Sequence, residues 1–197
     1  METSAVAGAK KNARRHRAWI LFEDESGVSQ QPVVRRTWAP RGRPPVLTHT
    51  GAHWKRLSIA AALAFRWDGR RSRFYFRTQP GAYTDVTLIP FLRALKRHFG
   101  GQRVILIWDG LNSHKSRAMT TYLATQRRWL TVDRLPAYAP DLNPVEQVWG
   151  NVKTRDLANL CPTDVQALRR PLRAGFSRIR CHATLPFSFL CHAGLGF

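Results

Sequence analysis

The chain has 197 residues, 44% of them hydrophobic and 11% aromatic, which suits one compact domain with a real core and excludes a disordered polyelectrolyte. It carries 32 Lys and Arg against 12 Asp and Glu, a formal charge of +20, so a polyanion is the expected partner, nucleic acid before a membrane surface. No apolar run approaches the length of a membrane helix, and three scattered cysteines without a secretory leader point to reduced thiols and a cytoplasmic protein.

Residues 1–17, with Lys10, Lys11, Arg14, Arg15 and Arg17, read as a mobile basic arm. AWILF, residues 18–22, is a short continuous apolar run, the pattern of a strand covered on both faces. Residues 31–49 are extended and interrupted by Pro40, Gly42, Pro44 and Pro45, which suggests a hairpin with a basic tip. LSIAAALAF (57–65) and RFYFR (73–77) read as further strands.

At residue 85 the period changes. Leu88, Leu92, Leu95 and Phe99 share a helical face, and Gly100 and Gly101 stop that helix. VILIW (104–108) is a second continuous apolar strand, followed by a short helix after Ser116 with Met119, Tyr122 and Leu123 inward, and by a strand over 130–135. The loop PAYAPDLNP leads into a helix from Pro144 to about Leu157. A last helix over roughly 162–179 is expected to kink or break at Pro171, and residues 181–197 read as an irregular tail. This order predicts an α/β domain, one mixed sheet of about five strands flanked by helices.

The acids are informative because a carboxylate near bound phosphate is repulsive unless a cation separates them. Both continuous apolar strands run toward one: Asp24 and Asp109. If those strands are parallel neighbours, both carboxylates emerge at the carboxyl edge, where open α/β sheets place ligands. Mg²⁺ needs only a few such oxygens. Alternation puts Asp24 on the face of Ile20 and Phe22, with Glu23 and Glu25 opposite. Each acid also has a plain structural reading: a turn residue for Asp24, an Asp-Gly turn for Asp109, and for Glu146 a capping box with Asn143 and Pro144. Asp133, Asp141, Asp156 and Asp164 read as structural or solvated. Cys181-His182 and Cys191-His192 do not have the spacing of a common zinc site.

The segments FEDESG, WDGLNSHKS and YAPDLNPVEQVW resemble the three signature blocks of bacterial insertion-sequence transposases of the Tc/mariner superfamily, and RRTWAPRGRPP resembles the block that follows the first. The resemblance spans about residues 18–160, and its third block is the most specific. It implies a ribonuclease H-like catalytic domain over residues 18–180. By motif, Asp24, Asp109 and Glu146 are its catalytic, metal-holding residues, binding two Mg²⁺ or Mn²⁺ ions; 36 residues separate the last two, similar to the family's interval. The implied chemistry is DNA strand cleavage and 3′-OH strand transfer.

Arg35, Arg36, Arg41, Arg43, Lys115, Lys153 and Arg155 are the expected DNA-binding residues; His114 receives no role. The implied partners are transposon-end and target DNA and a second copy of the chain. In place of the family's helix-turn-helix modules stands only the basic arm, which suggests a separately encoded DNA-binding subunit. Gly110 occupies the position where relatives often carry Asn. A ribonuclease H-like nuclease without strand transfer and an inactive DNA-binding remnant stay open as alternatives.

Overall fold

The computed structural model describes residues 4–49, 55–136 and 139–196, apart from the side chains of Ser4 and Ala5. Residues 1–3 of the expected arm, Ala137 and Tyr138 of the loop PAYAPDLNP, and Phe197 of the tail lie outside the described residues. The strands are β1 (Trp19–Ser29), β2 (Arg56–Arg66), β3 (Ser72–Pro80), β4 (Val104–Trp108) and β5 (Leu130–Arg134). The helices are α1 (Ser4–His16), α2 (Asp85–Phe99), α3 (Asn112–Lys115), α4 (Arg117–Ala124), α5 (Pro144–Arg155), α6 (Arg169–Cys181) and α7 (Leu185–His192).

The five strands form one sheet in the order β3-β2-β1-β4-β5. β1, β2 and β3 are an antiparallel meander; β4 joins β1 in parallel, and β5 joins β4 in parallel. The central strands are buried on both faces, as their unbroken apolar runs require. One face carries Ile20, Phe22, Leu63, Phe65, Ile105 and Ile107 into a core with α1, α5, α6 and α7. The other carries Trp19, Leu21, Leu106 and Trp108 into a core with α2 and α4. α2 spans the residues its periodicity predicts, buries Leu88, Leu92, Leu95 and Phe99, and ends at Gly100 in the left-handed conformation.

Four expectations about the elements need correction. Residues 4–16 form a helix rather than a mobile arm, and Val6, Ala9 and Ala13 are buried in the first core. Their spacing of three and four residues is an apolar helical stripe, hidden in the sequence by the basic residues around it. Residues 31–49 form no hairpin. Val33 makes a single bridge to Ala158, a turn closes from Arg43 N to Pro40 O at Gly42, and the prolines withhold the N–H groups a ladder needs. The last long helix starts at Arg169, so Pro171 lies in its first turn, where a missing N–H costs little, and does not break it. The tail is not irregular throughout: α7 buries Phe189 and Leu190, and Leu195 is buried beyond it.

Asp156, expected as a solvated acid, instead bonds the Arg178 guanidinium at 2.6 Å. It occupies the space above Gly175, where a Cβ would lie 2.7 Å from the carboxylate. A side chain there would push α6 off α5.

Candidate active site

β1 and β4 pair in parallel from Trp19↔Val104 to Phe22↔Ile107. Continued two residues, that register sets Asp24 level with Asp109. Asp24 lies within β1, opposite Ala61 of β2, rather than in a turn after the strand. Asp109 follows the last residue of β4, and its Oδ1 accepts from Leu111 N at 3.0 Å, the Asx turn of an Asp-Gly corner.

The third acid arrives from α5. Asn143 is buried; its Oδ1 accepts from Val145 N at 3.1 Å, and its Nδ2 donates to Glu23 O on β1 at 3.2 Å. One side chain thus caps α5 and ties its first turn to β1. The full capping box does not form. The Asn143 N–H is already taken by Pro140 O in the single 3₁₀ turn before the helix, at 2.8 Å. Glu146 is therefore released from the cap and its charge acts on Asp24. One turn on, Trp149 Nε1 donates to Asp24 Oδ2 at 2.7 Å.

Asp24, Asp109, Glu146 and Lys115 line one open cavity of about 600 Å³, together with Gly110 and Asn143. Lys115 Nζ lies 3.2 Å from where a Cβ on Gly110 would be, so the glycine leaves room for the ammonium. Burial pushes the Asp24 carboxyl up to about 7; the Trp149 bond opposes this and the Glu146 charge adds to it. A buried carboxyl facing another acid in an all-oxygen donor set fits a hard divalent cation, which would offset both burial and repulsion.

Of the other expected DNA-binding residues, none lines this cavity. Arg35, Arg36, Arg41 and Arg43 stand exposed along 35–43, where the Asn159 side chain bonds both the N–H and the carbonyl of Arg35. Lys153 donates to Ser26 Oγ at 3.0 Å, and Arg155 is exposed at the end of α5.

Two residues without an assigned role in the sequence touch the expected ligands. Trp149 is one, and its spacing of three from Glu146 on a helix was the available signal. His114 is the other: its Nδ1 is 2.9 Å from Asp109 Oδ1, its Nε2 is 3.2 Å from Glu25 Oε1, and its ring stacks on Trp108 at 4.0 Å. Burial alone would lower the imidazole, but the Glu25 hydrogen bond and charge, joined by Asp109, hold it above its ordinary value. The two Cys-His pairs do not assemble a metal-ligating group among the described residues.

Among solved structures the fold matches the Mos1 mariner transposase. Against the Mos1 strand transfer complex the TM-score is 0.63 at 20% identity, covering 98% of this chain and 60% of that one. Against the Mos1 paired-end complex with Mn it is 0.63 at 20% identity, covering 98% and 61%. Against the Mos1 catalytic domain it is 0.58 at 17% identity, covering 98% and 92%. At these identities the likeness establishes the fold, the ribonuclease H-like architecture of that catalytic domain. The chain spans about 60% of the length of the Mos1 chains in the DNA complexes. A search of curated proteins found no match. The family model described as DDE superfamily endonuclease matches residues 19–169, more than half of the sequence, and the chain belongs to that family.

Proposed function

We propose that this chain is a DNA transposase catalytic domain that cleaves a DNA strand and joins the exposed 3′-OH to target DNA. The observation that carries this reading is the meeting of Asp24, Asp109 and Glu146, from two parallel strands and a helix N-terminus, in one cavity of a +20 protein. Mos1 structures with transposon-end DNA and with Mg or Mn support it by likeness of fold.

Asp24, Asp109 and Glu146 would hold two Mg²⁺ or Mn²⁺ ions. Bound divalent ions supply Lewis acidity toward the scissile phosphate and a nucleophile at neutral pH. Trp149 fixes the orientation of the Asp24 carboxylate, and His114 with Leu111 N fixes Asp109. Lys115 reaches into the cavity where a phosphate oxygen would lie. Arg35, Arg36, Arg41, Arg43, Lys153 and Arg155 contact the DNA backbone outside the cavity. The partners are transposon ends and target DNA, and a second copy of the chain to pair two ends.

The test is incubation of supercoiled plasmid and of a labelled 3′-OH oligonucleotide with the purified chain and Mg²⁺ or Mn²⁺. Nicking and joined products, both lost in Asp24→Ala and Glu146→Ala, are expected. Nicking without joining would leave a nuclease, and DNA binding with neither would leave a remnant.

A further inference from the structure

β1 carries acids on both faces, and the second set has no part in the cavity above. Glu23 and Glu25 point away from Asp24, into the face covered by α3, where they meet His114. Glu23 is 1% exposed, and neither of its carboxylate oxygens has a hydrogen-bond partner; Glu25 Oε2 is likewise buried and unpartnered. Among the described residues, the basic side chain that reaches either carboxylate is His114, at 3.2 Å from Glu25 and 4.0 Å from Glu23. A chain with 32 Lys and Arg has placed none of their described side chains in an ion pair with this pair of acids.

The hydrogens sharpen the problem. His114 Nδ1 faces Asp109 O at 3.2 Å and Asp109 Oδ1 at 2.9 Å, while Nε2 faces Glu25 Oε1 at 3.2 Å and Glu23 Oε2 at 4.0 Å. A neutral ring with its proton on Nδ1 presents a lone pair to Glu25 Oε1. Lone pair against carboxylate is repulsive unless something positive lies between them. One proton on Nε2 satisfies one oxygen and leaves the remaining buried oxygens orphaned. A cation accepts from all of them at once.

We propose that Glu23, Glu25 and His114 Nε2 form a second divalent-cation site, on the opposite face of β1 from the cavity of Asp24, Asp109 and Glu146. The three donor atoms lie within 4.8 Å of one another. In an octahedral shell, ligands at about 2.1 Å from the ion stand about 3.0 Å apart when adjacent and about 4.2 Å when opposite, which brackets the two distances to His114. The set of one imidazole and two carboxylates in a buried pocket favours Mn²⁺ or Zn²⁺ over Mg²⁺, which gives up its water reluctantly. His114 also lines a separate groove of about 610 Å³ with Thr131 and Arg134, an approach on the α4–β5 side. Its Nδ1–H on Asp109 makes the carboxylate–histidine–metal arrangement in which the outer acid fixes ring and tautomer. The outer acid here is itself a proposed ligand of the first site.

The two sites separate in an Asp24→Asn/Glu146→Gln chain, stripped with chelator and dialysed against Mn²⁺ or Zn²⁺ in excess Mg²⁺. It should retain about one ion per chain. Adding Glu23→Gln and Glu25→Gln should reduce this to none, while circular dichroism shows the fold intact. Pulsed electron paramagnetic resonance of the retained Mn²⁺ should show nitrogen coupling that His114→Phe removes; the all-oxygen site gives none. No retained ion in the first variant, retention unchanged by the glutamine pair, or bound Mn²⁺ without nitrogen coupling would each overturn the proposal. If the glutamine variant fails to fold, the nitrogen coupling still decides. None of these readings depends on DNA cleavage, so failure of the transposase reading is seen separately.

Discussion

Asp24 pits stability against chemistry in a single carboxyl group. Its value is raised in the fold, so the sign runs opposite to a salt-bridged aspartate. The protonated form is favoured below the ordinary value of 3.8, and the contribution is lost as pH climbs to about 7. The metal-free protein is therefore expected to melt lower at pH 7 than at pH 4, and Asp24→Asn to remove that part of the slope. At about 1.4 kcal/mol per unit the difference between the two proteins at pH 7 is at most about 4 kcal/mol in favour of the variant. Calorimetric melts of both chains across pH 4–8 would check it; a wild type at least as stable as the variant at pH 7 contradicts it. The variant should show no nicking. Divalent ions should reverse the order, because binding displaces the proton. The acids were visible in the sequence because a basic chain has few of them and two end apolar runs. Trp149 and His114 were not, since their contacts, Asp24 Oδ2 and Asp109 Oδ1, come from residues 125 and 5 positions away and depend on side-chain direction.

At the level of elements, the site is held by how α5 begins. Asn143 caps the helix and holds the Glu23 carbonyl, so Asn143→Ala should cost about 1–2 kcal/mol. It should also lower nicking by more than that loss of stability explains, because Glu146 is no longer fixed against β1. Urea melts beside single-turnover nicking rates separate the two effects, and a rate equal to wild type would remove Asn143 from the site's support. α1 makes a second case. Removing residues 1–17 uncovers the surface under Val6, Ala9 and Ala13 and should lower stability by about 2–4 kcal/mol. A detachable arm would change the urea midpoint by nothing. The elements that could be read beforehand, β4 and α2 above all, have a clear run or period of their own. Those misread are α1, whose buried residues are mostly alanines among charges; α7, which has apolar residues on several sides and no clear period; and 31–49, whose prolines mark extension without naming a partner.

Across the whole molecule, the charge is unevenly used. Five acids, Glu23, Asp24, Glu25, Asp109 and Glu146, gather on β1, at the end of β4 and at the start of α5, while Arg35, Arg36, Arg41 and Arg43 stand in solvent on one extended segment. Neutralised phosphates release counterions, so DNA affinity should fall steeply with salt. Replacing these four arginines by alanine should flatten the log–log slope by about 3–4. Fluorescence anisotropy between 50 and 200 mM salt measures the slope, and an unchanged slope would place the backbone contacts elsewhere. Mn²⁺ affinity should be untouched.

The parallel pairing of β1 with β4, from Trp19↔Val104 to Phe22↔Ile107, has a further consequence for how such a chain can diverge. Because neighbouring residues of β1 serve opposite faces, a single codon inserted between Phe22 and Glu23 would bring Glu23 level with Asp109 and turn Asp24 toward His114. One slip would exchange the two sets of donors while leaving the amino-acid inventory nearly intact. Around these acids the stretch thus tolerates substitution but not a change of spacing, and surviving descendants should differ there in the residues other than the acids and not in length.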